Sequence, residues 1–165
     1  MVVAVEALAG RNAHEAGRQL LRKLYREHIG GEMPDVLVTQ RGKPYFAAGK
    51  VHFSISHTKE HVFCVLSESP VGIDAEELDR PIRPELAQKI LSPGELAQYH
   101  EAEDKNRALL TFWVLKEASV KCSGEGLRGY PAHTDFSLED PRVFTHSGCV
   151  VAIIEDRRSN SGLSL

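Results

Sequence analysis

Apolar and polar positions along this chain fall into short blocks of period two and two longer blocks of helical period. Val51, Phe53 and Ile55 alternate with His52, Ser54 and Ser56, the pattern of a strand over Val51–Ser56. Val2–Leu8, Asp35–Gln40 and Val71–Glu76 also read as strands, and His61–Ser67 as a more fully apolar one. Leu20, Leu21 and Leu24 lie among Arg18, Arg22, Lys23 and Arg26, which predicts an amphipathic helix over His14–His28, ended by Gly30 and Gly31. Arg41-Gly42-Lys43-Pro44 reads as a turn, and Pro81 with Pro84 marks a loop. Ser92-Pro93-Gly94-Glu95 is a capping box with proline at the first helical position, so a helix starts there. Asp104 caps the longest helix, which runs to about Cys122. Strands follow near Thr134–Leu138, Arg142–Thr145 and Cys149–Ile154, and the tail from Arg157 is polar.

The two halves of this pattern resemble each other. Each reads strand, helix, strands, and Val2–Leu8 echoes Val71–Leu78. The expectation is an α+β fold built by pseudo-twofold duplication of a strand-helix-strands unit. Residues 1–69 form one half, 70–156 the other and 157–165 a tail, with a site between the halves.

Charge is distributed unevenly. Residues 11–59 hold nine Lys/Arg against four Asp/Glu, and residues 60–104 hold three against eleven. A basic region beside an acidic one suits an anionic ligand carried with a metal ion. No apolar run approaches the roughly 20 residues of a membrane helix, and no basic patch is interleaved with aromatics, so neither membrane nor nucleic acid is expected as a partner. Three widely spaced cysteines, Cys64, Cys122 and Cys149, fit neither a disulfide scaffold nor a zinc cluster, and point to a reducing cytoplasm.

Candidate chemistry concentrates in two segments. Asp74 and Glu76 stand two apart on a strand, so both carboxylates leave the same face. On the long helix Trp113, Glu117 and Lys121 are spaced i, i+4, i+8 along one stripe, and Lys116 is turned about 100° away. Each has an ordinary explanation taken singly: a strand end in water, or an exposed i,i+4 ion pair. Together they are oxygen donors with no His or Cys among them, which favours magnesium over zinc, and lysines beside such a metal neutralise phosphoryl charge. Lys43 on its turn is placed to meet a phosphate, and His57 beside Ser56 to donate to one. No glycine-rich phosphate loop is present.

The ordered set Gly42-Lys43-Pro44, Phe53-Ser54-Ile55-Ser56-His57, Val71-Gly72-Ile73-Asp74-Ala75-Glu76, Ser92-x-x-Glu95 and Trp113-x-x-Lys116-Glu117-Ala118-x-x-Lys121-x-x-Gly124-x-Gly126-Leu127 resembles the 4′-phosphopantetheinyl transferases. The spacing resembles the longer, surfactin-synthetase-activating type, with a shortened N-terminal half. The resemblance implies a monomer that is itself a pseudo-dimer. It also implies transfer of phosphopantetheine from coenzyme A to a serine of an acyl or peptidyl carrier protein, releasing 3′,5′-ADP, a step that fatty acid biosynthesis requires. By the same resemblance Asp74, Glu76 and Glu117 are magnesium ligands, and Glu117 is also the base for the carrier serine. Lys121 neutralises or protonates the leaving phosphate. Lys43, Pro44, Ser56, His57, Lys116 and Lys121 hold coenzyme A. The competing expectation is a relative that keeps the fold and binds carriers but has lost turnover.

Overall fold

The computed structural model describes residues 1–125 and 135–157. Its strands are β1 (Val2–Ala7), β2 (Val36–Val38), β3 (Pro44–Phe46), β4 (His52–His57), β5 (His61–Ser67), β6 (Val71–Glu77), β7 (Val143–His146) and β8 (Cys149–Glu155). The α-helices among the described residues are α1 (Ala13–His28), α2 (Ala87–Ile90), α3 (Pro93–Glu101) and α4 (Lys105–Ser123), with a 3₁₀ turn at Pro84–Leu86. They make a mixed α/β fold whose sheets are antiparallel. None of these helices is long and apolar enough to cross a membrane.

Two three-stranded sheets carry the chain. The first is ordered β1-β5-β4 and the second β6-β8-β7, while β2 and β3 form a separate hairpin. In both sheets the last strand of the unit pairs between the first strand and the middle one. Helix α1 covers the first sheet: Ala16, Leu20, Leu21 and Leu24 pack on Val62, Cys64 and Leu66 of β5. Phe63 and Val65, on the other face of β5, meet Val71, Ile73 and Ala75 of β6 and Val151 and Ile153 of β8. Strand β5 is therefore apolar on both faces because both are covered. Helix α4 covers the second sheet and is buried almost all round, so its sequence lacks a clear polar face.

The helix ends follow their caps. Asn12 accepts from the Glu15 amide at the start of α1, and Asp104 accepts from the Arg107 amide at the start of α4. The capping box of Ser92 and Glu95 is present in full at α3. Gly124 takes a left-handed φ of 72° at the end of α4.

One glycine is required by packing. A β-carbon on Gly72 would overlap the Ala118 carbonyl oxygen and lie 2.5 Å from the Cys122 amide nitrogen, both backbone atoms of α4. Gly72 thus lets β6 and α4 touch backbone to backbone, which brings the side chains of β6 under those of α4.

The join between β4 and β6 is made by side chains. Ser54 Oγ accepts from the Ile73 amide at 3.1 Å, and Ser56 Oγ accepts from the Ala75 amide at 3.3 Å. The polar face of β4 is therefore the seam between the two sheets, and Ser54 and Ser56 are buried there.

Three details differ from the sequence reading. Residues 135–138 form no strand; the Phe136 amide donates instead to Glu95 Oε1 at 3.0 Å. Strand β3 follows the turn at Lys43 directly, and the proline-marked loop holds the 3₁₀ turn and α2. Gly126, Leu127 and the expected tail beyond Arg157 lie outside the described residues.

Candidate active site

Strand β6 and helix α4 meet at the seam, and their polar groups gather there. Asp74 is 6% exposed, buried by the helix above and β4 beside it. Its Oδ1 accepts from Ser56 Oγ at 3.0 Å and from Lys121 Nζ at 2.7 Å. Lys121 Nζ also donates to Ser56 Oγ at 3.2 Å and to the Ile73 carbonyl at 3.1 Å. The other oxygen of Asp74, Oδ2, is buried without a hydrogen-bond partner. Burial pushes the Asp74 carboxyl up to about 6; the Lys121 ammonium opposes the rise, and the charges of Glu76 and Glu117 add to it.

Glu76 lies two residues on, at the edge of the same cluster. Its Oε1 accepts from the Trp113 indole N–H at 3.2 Å and from the Arg80 guanidinium. Trp113, Glu117 and Lys121 are on one stripe of α4, and Trp113 and Lys121 both reach down to β6. Glu117, half-buried between them, acts on Asp74 through its charge. Arg80 had no signal in the sequence reading. It pairs with Glu76 four residues earlier, at the end of β6.

Beside this cluster is a cleft of about 230 Å³, lined among others by Lys43, Pro44, Phe53, Ile55, Val120 and Lys121. Its walls are largely apolar and its rim carries cations. The Lys43 ammonium donates to the Cys122 carbonyl at 2.5 Å, at the C-terminal end of α4, where carbonyls lack helical partners. Burial lowers the Lys43 ammonium below its ordinary range and, together with the Lys43 charge, lowers His52 as well. His57 is exposed at the end of β4 and does not line the cleft.

Lys116 requires a correction. The expectation put its ammonium on a phosphate, but the side chain is wholly buried, about 100° round α4 from the stripe of the cluster. Its Nζ is 2.7 Å from Glu95 Oε2, with the distance of an ion pair but not the geometry of a hydrogen bond. It also lies 5.6 Å from the centre of the Phe136 ring. Glu95 in turn accepts from the Ser92 and Phe136 amides. The pair ties α3, α4 and the segment at Phe136 together. Among the described residues the ammonium is enclosed by Glu95 and the Phe136 ring.

No group of three His, Cys, Asp or Glu side chains stands close enough to hold a metal ion among the described residues. The chemistry of the donors nonetheless suits a hard cation. Asp74 offers a buried oxygen without a partner, and the charges of Glu76 and Glu117 disfavour its ionised form unless a cation compensates. The cysteines take no part: burial raises the thiols of Cys64, to about 12, and of Cys122 and Cys149.

The family model for the 4′-phosphopantetheinyl transferase superfamily matches residues 70–156, the half that contains β6, α4 and β8. The chain is 32% identical over 93 residues to a 4′-phosphopantetheinyl transferase of Bacillus subtilis, covering 54% of this chain and 41% of that protein. It is 31% identical over 123 residues to the 4′-phosphopantetheinyl transferase psf-1 of Bacillus pumilus, covering 68% and 52%. With the 4′-phosphopantetheinyl transferase HetI of Nostoc it shares 31% over 128 residues, covering 71% and 54%. The chain spans about half the length of the curated relatives it matches.

Proposed function

The chain belongs to the 4′-phosphopantetheinyl transferase superfamily, and from that premise we propose that it moves the 4′-phosphopantetheine arm of coenzyme A onto a serine hydroxyl of an acyl or peptidyl carrier protein, in the cytoplasm, releasing 3′,5′-ADP. The observation that carries the reading is the meeting of Asp74, Ser56 and Lys121 at the mouth of an apolar, cation-rimmed cleft.

In this reading the adenine nucleotide lies in the cleft, between Phe53 and Ile55 on one side and Val120 on the other. Lys43, on the turn before β3, and Pro44, at the start of β3, contact it. Asp74, Glu76 and Glu117 would hold Mg²⁺, which when bound withdraws charge from the pyrophosphate oxygens. The carrier serine oxygen attacks the phosphorus attached to the pantetheine arm. The bond from that phosphorus to the bridging oxygen breaks, and 3′,5′-ADP leaves. Glu117 takes the serine proton, directly or through water. Lys121 swings its ammonium from Asp74 to the leaving phosphate and neutralises it. Ser56 holds Asp74 in place through the exchange. His57, at the exposed end of β4, contacts a coenzyme A phosphate from the rim. The nucleophile comes from the partner, in keeping with cysteines whose thiols are suppressed.

The shared strand order of the two sheets supports a duplicated fold, with residues 1–69 and 70–156 as its halves within a monomer. A second reading, a carrier-binding relative without turnover, draws on the separation of the three carboxylates. Mass spectrometry of an apo acyl carrier protein incubated with this chain, coenzyme A and magnesium decides between them. A gain of one phosphopantetheine arm that EDTA abolishes is expected. No gain with a range of carriers, from a folded protein, would favour the second reading.

A further inference from the structure

The two carboxylates on the polar face of β6 each have a cation supplied by the chain itself. Asp74 has Lys121 from α4, and Glu76 has Arg80 from the loop that follows β6. Glu76 Oε1 takes two donors at once, the Arg80 guanidinium and the Trp113 indole N–H at 3.2 Å. An exposed i,i+4 ion pair is ordinarily worth little, because two long side chains lose freedom to make it. This one stands on an anchored backbone. The Arg80 amide donates to the Glu77 carbonyl at 3.0 Å. Asn106, in the first turn of α4, then clamps the loop: its Nδ2 donates to the Arg80 carbonyl at 3.0 Å and its Oδ1 accepts from the Ile82 amide at 3.0 Å. The loop is thereby pinned to the helix that also carries Trp113, so both donors reach Glu76 from one frame.

We infer that Arg80 is a positioning residue that competes with a divalent cation for Glu76. This deepens the transferase reading and rests on its assignment of Glu76 as a Mg²⁺ ligand. A carboxylate already bonded to a guanidinium gains less from a second cation, and a guanidinium that stays beside the site repels that cation. Glu76 is largely shielded from water while Arg80 is exposed, so the guanidinium has solvent to move into when the carboxylate is claimed. The Trp113 indole still orients Glu76 when Arg80 is gone. The effect of Arg80 is to keep the acid neutralised in the metal-free chain and to make firm binding of the ion depend on further oxygen ligands, such as substrate phosphates.

Titration of the full chain with Mg²⁺, without coenzyme A or carrier, tests this on binding and not on turnover. Trp113 is the sole tryptophan and touches Glu76, so its emission reports the carboxylate being drawn away. Loss of the free-ion electron paramagnetic resonance signal of Mn²⁺ gives an affinity independently of that emission. Arg80→Gln is expected to bind either ion about threefold to fivefold more tightly than wild type. Arg83→Gln removes the same charge from an exposed position three residues on, outside the Glu76 pair, and should change the affinity by less than about twofold in 0.15 M salt. Damage to the fold would weaken binding, so a gain separates competition from a structural role. Equal tightening in both variants would reduce the effect to net charge and overturn the proposal. So would an unchanged or weaker affinity in Arg80→Gln, or no uptake of either ion by any of the three proteins. The transferase reading is judged apart, by modification of an apo carrier: a wild type that modifies it while Arg80→Gln binds the ions no more tightly loses only the role of Arg80.

Discussion

Lys121 Nζ lies 2.7 Å from Asp74 Oδ1, a pairing of the last turn of α4 with the middle of β6. The pair neutralises a carboxylate that is otherwise buried among acids, and it sets the ammonium at the edge of the cleft. Asp74→Ala and Glu117→Ala are each expected to lower transfer by a factor on the order of 10² to 10⁴ with the circular dichroism spectrum unchanged. Wild-type turnover in either purified variant would sink the assignment of these acids.

The titration of Asp74 gives a pH signature in the metal-free protein. Its carboxyl is raised from 3.8 to about 6 by burial, so the native state holds a proton that the unfolded state has released across that window. Stability from this group is therefore lost as pH rises from about 4 to about 6 and is constant above. Urea unfolding in EDTA should show wild type losing on the order of 3 kcal/mol more than Asp74→Asn over that range. Parallel pH profiles for the two proteins would mean that Asp74 is not held in this environment.

Gly72→Ala should be among the most damaging single changes available. The added methyl meets backbone atoms of α4, which cannot rotate aside. A loss of at least about 3 kcal/mol in unfolding free energy is expected, together with loss of transfer because Asp74 is carried on the same strand. A folded, active Gly72→Ala protein would show that α4 and β6 separate more readily than their packing implies.

The buried Lys116–Glu95 pair predicts coupling between two substitutions. Lys116→Met leaves a buried carboxylate short of its counter-charge and should cost about 3–5 kcal/mol. Glu95→Gln added to it keeps one oxygen for a backbone amide and removes the stranded charge, so the double variant should recover part of the loss. A double-mutant cycle with no coupling energy would deny the pair its role in joining α3 and α4.

Much of this arrangement can be read in the residues themselves. The alternation at Phe53, Ser54, Ile55 and Ser56 marks β4, and the capping residues Ser92 and Asp104 start two helices at the observed places. What the pattern conceals is direction on a helix that is buried all round. Lys116 and Glu117 are neighbours, and nothing in their order says that one enters the core while the other faces β6. Charge counting misses pairing for a related reason: Glu95 and Asp74 belong to the acidic stretch, yet both are buried and each is paired with a lysine of α4. Arg80 escapes notice because a charge four residues from Glu76, past the end of a strand, carries no periodic signal of its own.

The two sheets are stitched at β4 and β6 by the hydroxyls of Ser54 and Ser56. A main-chain ladder is the same for every sequence, but a hydroxyl stitch can be removed one residue at a time without touching the backbone on either side. One of the two stitches, Ser56, also holds Asp74, so it contributes both to how firmly the sheets cohere and to how the acid is oriented. Evolution or design could loosen or tighten the grip of one sheet on the other at Ser54 while leaving the chemistry at Ser56 alone.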